Sequence, residues 1–355
     1  MNKLRILFVL PSFAGGGAER VVITLVRHLD RQRFTPVLAV VNPTGPYAAD
    51  VPADVETHHL GVRRFREGLW KLVRLTRSVK PDVVFSTMDY ANLATLLVSP
   101  FFPRGTRVVI RQTEVLSRYL RGRRRALVLL YRMLYGRADR IVCQSGHMAR
   151  ELTDRLNLDA GKLVRIYNPL DVRHVQHRAK QGQNPFLDAG PGPHLVVAGR
   201  LAPEKAPHRI IEKLPEWTRR YPDLRLWFLG EGGLESELRE RAERLGVDRH
   251  VRFPGFQENP YAWFRFADTF VLSSVYEGSP NALLEALACG CPALILDHPG
   301  GTREIAEHAG PASCRMVKVF PDDLEPVFSD SRTPPDLSAF EVETAIRQFE
   351  TVLAA

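Results

Sequence analysis

The sequence predicts an α/β protein of two domains, each a doubly wound parallel sheet covered by helices. At 355 residues the chain exceeds the size that one hydrophobic core usually supports. Short continuous apolar runs alternate with amphipathic stretches of helical period, which is typical of buried parallel strands joined by helical crossovers. This alternation occurs on both sides of the weakly periodic stretch 172–193 and therefore indicates two sheets in tandem.

The first domain is predicted at residues 1–171. Its first strand is Leu4–Leu10, an apolar run that Pro11 ends, and its first helix is Arg20–Leu29. The apolar runs that predict the remaining strands are Pro36–Val41, Asp82–Ser86, Arg107–Arg111, Arg140–Gln144 and Leu163–Tyr167.

The second domain is predicted at residues 194–335, after the Gly-, Pro- and Gln-rich stretch 172–193, which is predicted to be a linker. Residues 336–355 contain a last amphipathic helix, Ala339–Leu353, whose apolar stripe needs a surface to cover. The N-terminal domain is one candidate for that surface. The second domain has predicted strands at His194–Ala198, Arg225–Leu229, His250–Phe253, Thr269–Ser273, Ala293–Leu296 and Cys314–Val319, and helices at Pro207–Tyr221, Leu234–Leu245 and Asn281–Ala288.

The composition, 45% hydrophobic and 25% charged, is that of an ordinary globular protein. The net charge of +9 favours an anionic partner, which can be a nucleic acid, a phosphorylated ligand or a membrane surface. The four cysteines form no CxxC pair, which favours free thiols in a reducing compartment. No apolar run approaches the roughly 18 residues of a membrane span, so the sequence predicts a cytoplasmic protein.

A glycine-rich motif, AGGGAER at 14–20, joins the first predicted strand to the first helix. Glycines such as Gly16 and Gly17 let backbone amides approach a ligand closely, and the start of a helix favours an anion. The motif is not GxGxxG, and no acid ends a second strand as a nicotinamide-binding fold requires. On its own the motif fits a tight turn as well as a phosphate or sugar site.

A basic loop, AGRLAPEKAP at 198–207, follows the first strand of the second domain. The forked guanidinium of Arg200 and the compact ammonium of Lys205 together suit a diphosphate, whose oxygens need several donors. The alternative is that both are solvated loop charges.

Two acids occur in EGSPNALLE at 277–285, after another predicted strand. Glu277 is in a turn-forming stretch, and Glu285 is about one turn inside the helix that Asn281 opens. The first amides of that helix can hold a phosphate, and the carboxylates can accept hydrogen bonds from hydroxyl groups. A nucleoside diphosphate sugar offers both groups. The alternative is that Glu277 caps the loop and Glu285 is a surface acid favoured by the helix dipole.

These motifs together resemble those of the retaining GT-B glycosyltransferases of the GT4 type. GRLAPEK, followed by EGSPNALLEALACGCP, is the most specific part, and GGGAERV, YNPLD at 167–171 and FPGF at 253–256 are also similar to that family. The likeness covers about residues 4–310. It implies a GT-B fold, in which two Rossmann-like domains face each other across a cleft, and transfer of a sugar from a nucleotide donor.

The resemblance also implies roles for individual residues. In that family the first motif acid binds hydroxyls of the donor sugar and the second binds the ribose, which here are Glu277 and Glu285. An Arg/Lys pair neutralises the donor diphosphate, which here is Arg200 and Lys205, so that the implied catalytic residues are Arg200, Lys205 and Glu277. Further implied donor contacts are Gly16, Gly17, Gly255, Phe256, Gly278, Ser279, Pro280 and Asn281.

The chain departs from the family near the predicted acceptor. Many relatives have a His after the strand that ends here at Arg111, whereas this sequence reads Arg111-Gln112-Thr113-Glu114, so Arg111 and Glu114 are the candidate acceptor-side residues. The sequence contains no Asp-x-Asp motif, and Cys289-x-Cys291 has poor metal spacing. We therefore expect neither a metal nor a cofactor, since the nucleotide sugar is a co-substrate. We expect Arg200, Lys205 and the helix N-terminus to stabilise the charge on the leaving group instead.

Two basic stretches, 62–80 and 118–140, mix many arginines with apolar residues at helical spacing. Such helices favour an anionic membrane surface or an anionic acceptor. The alternative is core-facing helices with solvated basic backs. Nucleic acid is disfavoured because no helix-turn-helix, zinc-finger or RNP-type motif accompanies the charge. We predict contact with the inner face of the cell membrane.

The resemblance implies a retaining, metal-independent hexosyltransferase for surface polysaccharide or glycolipid synthesis. A UDP-sugar is the favoured donor, GDP-mannose is the next, and the acceptor is a glycan or a polyprenyl-linked glycan. The alternatives are a nucleotide-sugar epimerase or phosphorylase of the same fold, or a non-catalytic protein that binds sugar nucleotides.

Overall fold

The computed structural model describes residues 3–14, 16–62, 65–117, 125–324 and 334–355. The chain divides into two compact units. Unit 1 comprises Met1–Pro169 and Val342–Ala355, and unit 2 comprises Leu170–Glu341. Gly15 of the glycine motif, residues 118–124 of the second basic stretch and residues 325–333 of the predicted second domain lie outside the described residues.

Unit 1 contains a seven-stranded, wholly parallel sheet with strand order β3-β2-β1-β4-β5-β6-β7. The predicted α/β class is confirmed, and all six strands predicted for this half are present. The additional strand, β3, has the sequence ETHH and lies at the edge of the sheet, where no buried apolar run marks it. The strands are β1 (Leu4–Ser12), β2 (Phe34–Asn42), β3 (Glu56–His59), β4 (Val83–Thr87), β5 (Arg107–Gln112), β6 (Arg140–Cys143) and β7 (Leu163–Arg165).

Helices cover both faces of this sheet. Those of unit 1 are α1 (Gly17–His28), α2 (Leu69–Val79), α3 (Asp89–Val98), α4 (Arg125–Tyr135), α5 (Gly146–Leu156) and the C-terminal helix, which is α12 (Val342–Ala354) in chain order. Apolar residues of α2, α3, α4 and α5 pack on one face, and those of α1 and α12 pack on the other.

The C-terminal helix α12 belongs to the core of unit 1, although it is far away in sequence. The Phe349 ring lies 6.0 Å from the Phe85 ring of β4, measured between centroids. Glu350 Oε1 accepts a hydrogen bond from the Asp30 amide at 2.9 Å, and Glu350 Oε2 accepts one from Arg33 at 3.0 Å. The apolar stripe of this helix therefore covers the β1/β4 face of the first sheet.

Unit 2 contains a six-stranded parallel sheet with strand order β10-β9-β8-β11-β12-β13. The six strands predicted for this half are all present. They are β8 (His194–Ala198), β9 (Arg225–Leu229), β10 (Val251–Gly255), β11 (Thr269–Leu272), β12 (Ala293–Leu296) and β13 (Cys314–Val317).

The stretch predicted to be a linker differs from the prediction over its first half. Residues 172–181 form helix α6 (Val172–Gln181), which Asp171 caps by accepting a hydrogen bond from the His174 amide at 2.9 Å. Only Val175 and Ala179 of this helix are buried, so its apolar periodicity is too weak to be recognised in the sequence. The other helices of unit 2 are α7 (His208–Arg220), α8 (Glu235–Arg244), α9 (Pro260–Phe266), α10 (Asn281–Ala288) and α11 (Thr302–Ala309).

No helix in the described part of the chain combines the length and the apolar character needed to cross a lipid bilayer.

Candidate active site

The candidate site lies in unit 2, at the edge where its parallel strands end. Four neighbouring strands, β9, β8, β11 and β12, are each followed by a loop that contains polar or glycine residues. Because the strands are parallel, these loops leave the sheet at the same edge, which is where α/β sheets bind ligands. The loops are 230–233, 199–205, 273–280 and 297–301.

Lys205 and Glu277 form an ion pair between two of these loops. Lys205 Nζ lies 2.6 Å from Glu277 Oε1, and the two side chains are 27% and 11% exposed. Burial by itself would raise the pKa of the Glu277 carboxyl. The charge and hydrogen bond of Lys205, with the hydrogen bond of Ser274, outweigh burial and hold that pKa below its ordinary value. Glu277 is therefore ionised at neutral pH.

Two serines after β11 hold this ion pair in place. Ser274 Oγ donates to Glu277 Oε1 at 2.6 Å, and Ser273 Oγ donates to the Lys205 carbonyl at 2.8 Å. Both side-chain hydrogen bonds of Glu277 end on Oε1, and no described residue donates to Oε2. The second carboxylate oxygen can therefore accept a hydrogen bond from a ligand.

Arg200 is on the same loop as Lys205, but it extends into solvent. Its Nη2 atom lies 2.9 Å from Glu204 Oε1, and its side chain is 74% exposed. The Glu204 carbonyl accepts a hydrogen bond from the Val275 amide at 2.8 Å, which anchors Glu204 to the loop after β11. An exposed ion pair of this kind contributes little to stability, so Arg200 can exchange Glu204 for a ligand anion at small cost.

Helix α10 begins at Asn281, directly after the loop that carries Glu277. Its N-cap residue is Pro280, and no side chain caps the helix, so the positive end of its dipole favours an anion. Gly278 is buried, and Ser279 is half-buried. Glu285, about one turn into the helix, is 6% exposed. The alternative of a surface acid at position 285 is therefore wrong.

Gly300 joins the loop after β12 to the loop after β11. It forms a parallel β-bridge with Glu277, and the Gly301 amide donates to the carbonyls of Glu277 at 3.2 Å and Gly278 at 3.0 Å. The φ of Gly300, +129°, favours glycine, and a Cβ atom at position 300 would overlap the Glu277 carbonyl group. The backbone around Glu277 is thus fixed by a contact that only glycine permits.

His298 is a further residue of this edge, which the sequence analysis missed. It is 8% exposed, its Nδ1 atom lies 3.1 Å from the Pro299 carbonyl oxygen, and its Nε2 atom has no hydrogen-bond partner among the described residues. Burial lowers the pKa of this imidazole, and so does Lys205, against the opposing effects of the Pro299 hydrogen bond, Glu277 and Asp297. The available signal was its position two residues after a predicted strand of the same sheet.

Gly255 and Phe256 are the predicted contacts of the base. Gly255 is the last residue of the edge strand β10, and Phe256 follows it. Gly255 has a φ of +75°, and its carbonyl accepts a hydrogen bond from the Gly230 amide at 2.9 Å. The Phe256 ring is 62% exposed. An exposed aromatic ring at this edge can stack on a planar base.

Gly16 and Gly17 are at the corresponding edge of unit 1, where α1 begins. Gly16 is the N-cap residue, and a Cβ atom there would collide with the Glu19 carboxylate. Glu19 is buried, and its Oε1 atom accepts a hydrogen bond from Ser12 Oγ at 3.3 Å. A larger residue at position 16 would therefore require the Glu19 side chain to shift, which a flexible side chain can do.

Arg111, the predicted acceptor-side residue, is at the end of β5 and only 1% exposed. Its guanidinium donates to Thr87 Oγ1 at 3.2 Å and to Asn168 Oδ1, in the YNPLD motif, at 2.5 Å. Burial lowers the pKa of Arg111 to about 9, although the charge of Glu19 opposes this effect. Glu114 is half-buried, and its carbonyl accepts a hydrogen bond from Gln112 at 2.8 Å. Acceptor contacts by Arg111 and Glu114 stay predictions.

The structure thus places most of the predicted donor-side residues at one edge of unit 2, and Gly16, Gly17, Arg111 and Glu114 in unit 1. In the part of the chain that the structure describes, no group of three or more His, Cys, Asp and Glu side chains is arranged to hold a metal ion.

Two family profiles match most of the chain. The profile described as Glycosyltransferase Family 4 matches residues 15–174, and the profile described as Glycosyl transferases group 1 matches residues 184–322. The chain is 29% identical over 320 residues to the Campylobacter jejuni N-acetylgalactosamine-N,N'-diacetylbacillosaminyl-diphospho-undecaprenol 4-alpha-N-acetylgalactosaminyltransferase, a match that covers 86% of this chain and 83% of the relative. It is 28% identical to the Rhizobium meliloti lipopolysaccharide core biosynthesis glycosyltransferase LpsE, with coverage of 94% and 92%.

Solved structures show the same fold. The Anabaena protein Alr3699/HepE, solved in complex with UDP-glucose, has a TM-score of 0.80 at 18% identity and is covered over 99% of both chains. The lipopolysaccharide outer core galactosyltransferase WaaB has a TM-score of 0.71 at 17% identity, with 99% of both chains covered.

Proposed function

Because the chain belongs to the group 1, family 4 glycosyltransferases and has their GT-B fold, we propose that it transfers a hexose from a UDP-sugar to a lipid-linked or other glycan acceptor with retention of configuration. The observation that carries this proposal is the Lys205–Glu277 ion pair directly before the uncapped N-terminus of α10. The pair supplies a cation for a phosphate and a carboxylate for sugar hydroxyls within one small area. The HepE structure with UDP-glucose supports a UDP-sugar as the donor.

The donor diphosphate binds Arg200, Lys205 and the first amides of α10 in this proposal. The Glu277 Oε2 atom accepts a hydrogen bond from the sugar, and Glu285 accepts one from the ribose. Gly255 and Phe256 contact the base, while the backbone from Gly278 to Asn281 lines the sugar and the phosphates. Gly16 and Gly17 contact the transferred sugar.

The chemical step exchanges one bond at the anomeric carbon. The bond from this carbon to the diphosphate oxygen breaks, and a bond to the acceptor oxygen forms on the same face of the sugar. The departing diphosphate takes the proton of the acceptor hydroxyl. Arg200, Lys205 and the dipole of α10 stabilise the charge that develops on the leaving group, so the step needs no metal ion.

The test of this proposal is a thermal-shift screen followed by a transfer assay. UDP, UDP-glucose, UDP-N-acetylgalactosamine and GDP-mannose are added separately, with and without EDTA. A donor at about 100 times its Kd stabilises the fold by about 2.7 kcal/mol, which raises the Tm by a few degrees. We expect a UDP-sugar to give the largest shift, EDTA to leave it unchanged, and a polyprenyl-linked glycan to accept the sugar as the α-anomer.

Each alternative has its own outcome in these assays. Conversion of the nucleotide sugar without an acceptor would indicate an epimerase, and phosphate-dependent release of a sugar phosphate would indicate a phosphorylase. Tight binding with no release of UDP in any acceptor pool would indicate a non-catalytic binding protein. If GDP-mannose gave the largest rise in Tm, GDP-mannose would be the donor and the UDP-sugar would not.

Exposed apolar side chains of unit 1 support a membrane partner and a place at the cytoplasmic face of the cell membrane. Trp70 on α2 and Phe101 after α3 contact each other, with ring centroids 5.2 Å apart, and both are exposed. On α4, Leu129, Leu130 and Met133 are also exposed. Helices α2 and α4 of this apolar face of unit 1 also carry exposed cations, at Lys71, Arg74, Arg77 and Arg132. The relative from C. jejuni, whose name includes an undecaprenol-linked substrate, supports a lipid-linked acceptor.

The apolar face of unit 1 predicts binding to anionic vesicles. We expect the protein to sediment with vesicles of three parts phosphatidylcholine to one part phosphatidylglycerol, but not with phosphatidylcholine alone. Binding should fall as NaCl rises from about 0.1 M to about 0.5 M, because salt screens the cations. The double variant Leu129→Ser/Met133→Ser should bind several-fold more weakly, because it removes apolar area that enters the lipid.

The control is the double variant Leu187→Ser/Val319→Ser, which removes two exposed apolar side chains from unit 2. It should bind vesicles as the wild type does. Equal loss in both double variants would contradict the assignment of the membrane contact to α4.

A further inference from the structure

The geometry points to His298 as a second acceptor for the transferred sugar: we propose that its Nε2 atom accepts a hydrogen bond from a hydroxyl group of the donor sugar, beside Glu277. This inference rests on the proposed function, because it assigns a residue to the sugar part of the same site. It concerns specificity for the sugar and leaves the nucleotide contacts unchanged.

The backbone places His298 at the sugar end of the candidate site. Its loop is held against the loop of Glu277 by the β-bridge at Gly300, and the Glu277 amide donates to the Pro299 carbonyl at 3.2 Å. The imidazole is close enough to the Lys205–Glu277 pair for both charges to act on it. The residue therefore belongs to the same edge as the carboxylate that is proposed to bind the sugar.

The hydrogen bond at Nδ1 determines which atom a ligand can reach. A carbonyl oxygen only accepts, so the contact between Nδ1 and the Pro299 carbonyl at 3.1 Å requires the proton on Nδ1. The Nε2 atom of the neutral ring then carries a lone pair and can only accept. Burial and Lys205 favour this neutral ring, whereas Glu277, Asp297 and the Pro299 contact oppose them, and the net effect keeps the pKa below its ordinary value.

The Nε2 atom has no donor within the described part of the protein, although the side chain is more than nine-tenths buried. Buried acceptors nearly always have a hydrogen-bond partner, so we expect a ligand with an O–H group to donate the hydrogen bond that Nε2 lacks. Phosphate oxygens offer no such donor when ionised, and sugar hydroxyls do. With Glu277 Oε2, His298 Nε2 gives the site two acceptors for the hydroxyls of one sugar ring.

The experiment measures the binding of UDP and of UDP-glucose, or of the UDP-sugar that gave the largest shift in the screen, by calorimetry at about pH 7.5. The variants are His298→Ala, His298→Gln and, as a matched control, His177→Ala. His177 is an exposed histidine of α6 in unit 2. We expect His298→Ala to weaken the UDP-sugar about tenfold and to leave UDP within about twofold, since one hydrogen bond to the sugar is lost.

Two further readouts distinguish a direct contact from a structural effect. His298→Gln should recover part of the affinity, because its amide oxygen also accepts a hydrogen bond. Deoxy analogues of the UDP-sugar should show that one hydroxyl matters for the wild type but no longer matters for His298→Ala. His177→Ala should bind both probes as the wild type does.

The outcomes separate this inference from the proposed function. Failure of the wild type to bind any nucleotide sugar would overturn both. Normal binding of the UDP-sugar by His298→Ala, in a wild type that binds it more tightly than UDP, would overturn only the role of His298. Equal weakening of UDP and of the UDP-sugar would show a structural effect and would also overturn that role.

Discussion

Glu277→Gln is expected to reduce transfer at least about 1,000-fold and to leave the protein folded. The substitution keeps the size of the side chain but removes the charge that pairs with Lys205. Lys205 then lacks its fixed partner, and the sugar loses the charged acceptor that we propose for it. The measurement is kcat/KM with the UDP-sugar identified in the screen, together with the Tm of the variant. Lys205→Ala should cause a loss of similar size, because the developing diphosphate charge loses its cation.

The same ion pair has a predictable effect on stability. Glu277→Gln leaves a largely buried ammonium without its carboxylate, so we expect the free energy of unfolding to fall by about 1–3 kcal/mol. Because the folded-state pKa of Glu277 lies below its ordinary value of 4.5, this contribution is present above pH 4.5 and is lost as the pH falls through the folded-state value. The wild type and Glu277→Gln should therefore converge in stability in acid.

The matched control for both effects is Glu235→Gln. Glu235 pairs with Arg239 on α8, 2.8 Å apart, but this pair is more exposed. Glu235→Gln should change stability by less than about 1 kcal/mol and leave kcat/KM within about twofold. Near-normal transfer by both Glu277→Gln and Lys205→Ala would contradict the assignment of the active site.

Gly300→Ala is expected to lower the free energy of unfolding by about 3 kcal/mol or more and to abolish donor binding. The added Cβ atom would overlap the Glu277 carbonyl group, and the φ of +129° is strained for alanine. The β-bridge between the loops must then open, and both Glu277 and His298 move with their backbones. Chemical denaturation measures the loss of stability, and calorimetry measures the loss of binding.

Two other glycines of unit 2 separate steric overlap from backbone strain. Gly310 has a φ of +74° but open space around its Cβ position, so Gly310→Ala should cost only about 1 kcal/mol. Gly233 also has open space and no positive φ, so Gly233→Ala should stay within about 0.5 kcal/mol of the wild type. If Gly300→Ala were no more costly than Gly310→Ala, the contact at Glu277 would not be what requires glycine.

The sequence predicted most of the fold because buried parallel strands leave a strong local signal. Twelve of the strands coincide with apolar runs, whereas ETHH at β3 is an edge strand and α6 buries only two side chains, so neither has a clear period. Amphipathicity likewise indicated a last helix, but it contained no information about which surface that helix covers.

The candidate site was predicted in part. Arg200, Lys205, Glu277 and Glu285 were candidates because they follow predicted strands or lie near the start of a helix, and because they match the family motifs. The contact between Lys205 and Glu277 was not predicted, since it depends on how two loops distant in sequence direct their side chains. His298 was missed because a single histidine in a loop has no spacing that distinguishes it. Arg111 was a candidate for contact with a ligand, but its side chain is buried and donates hydrogen bonds to Thr87 and Asn168.

The return of α12 to the first sheet has a consequence for the order in which the protein can fold during synthesis. Phe349 covers Phe85, and Arg107 donates a hydrogen bond to the Leu353 carbonyl. These contacts do not exist until residues 342–354 have left the ribosome. One apolar face of the first sheet therefore stays incompletely covered while all of unit 2 is translated. Unit 2 can reach its final packing before unit 1 does. A chaperone that shields apolar surface would act on unit 1 during that interval.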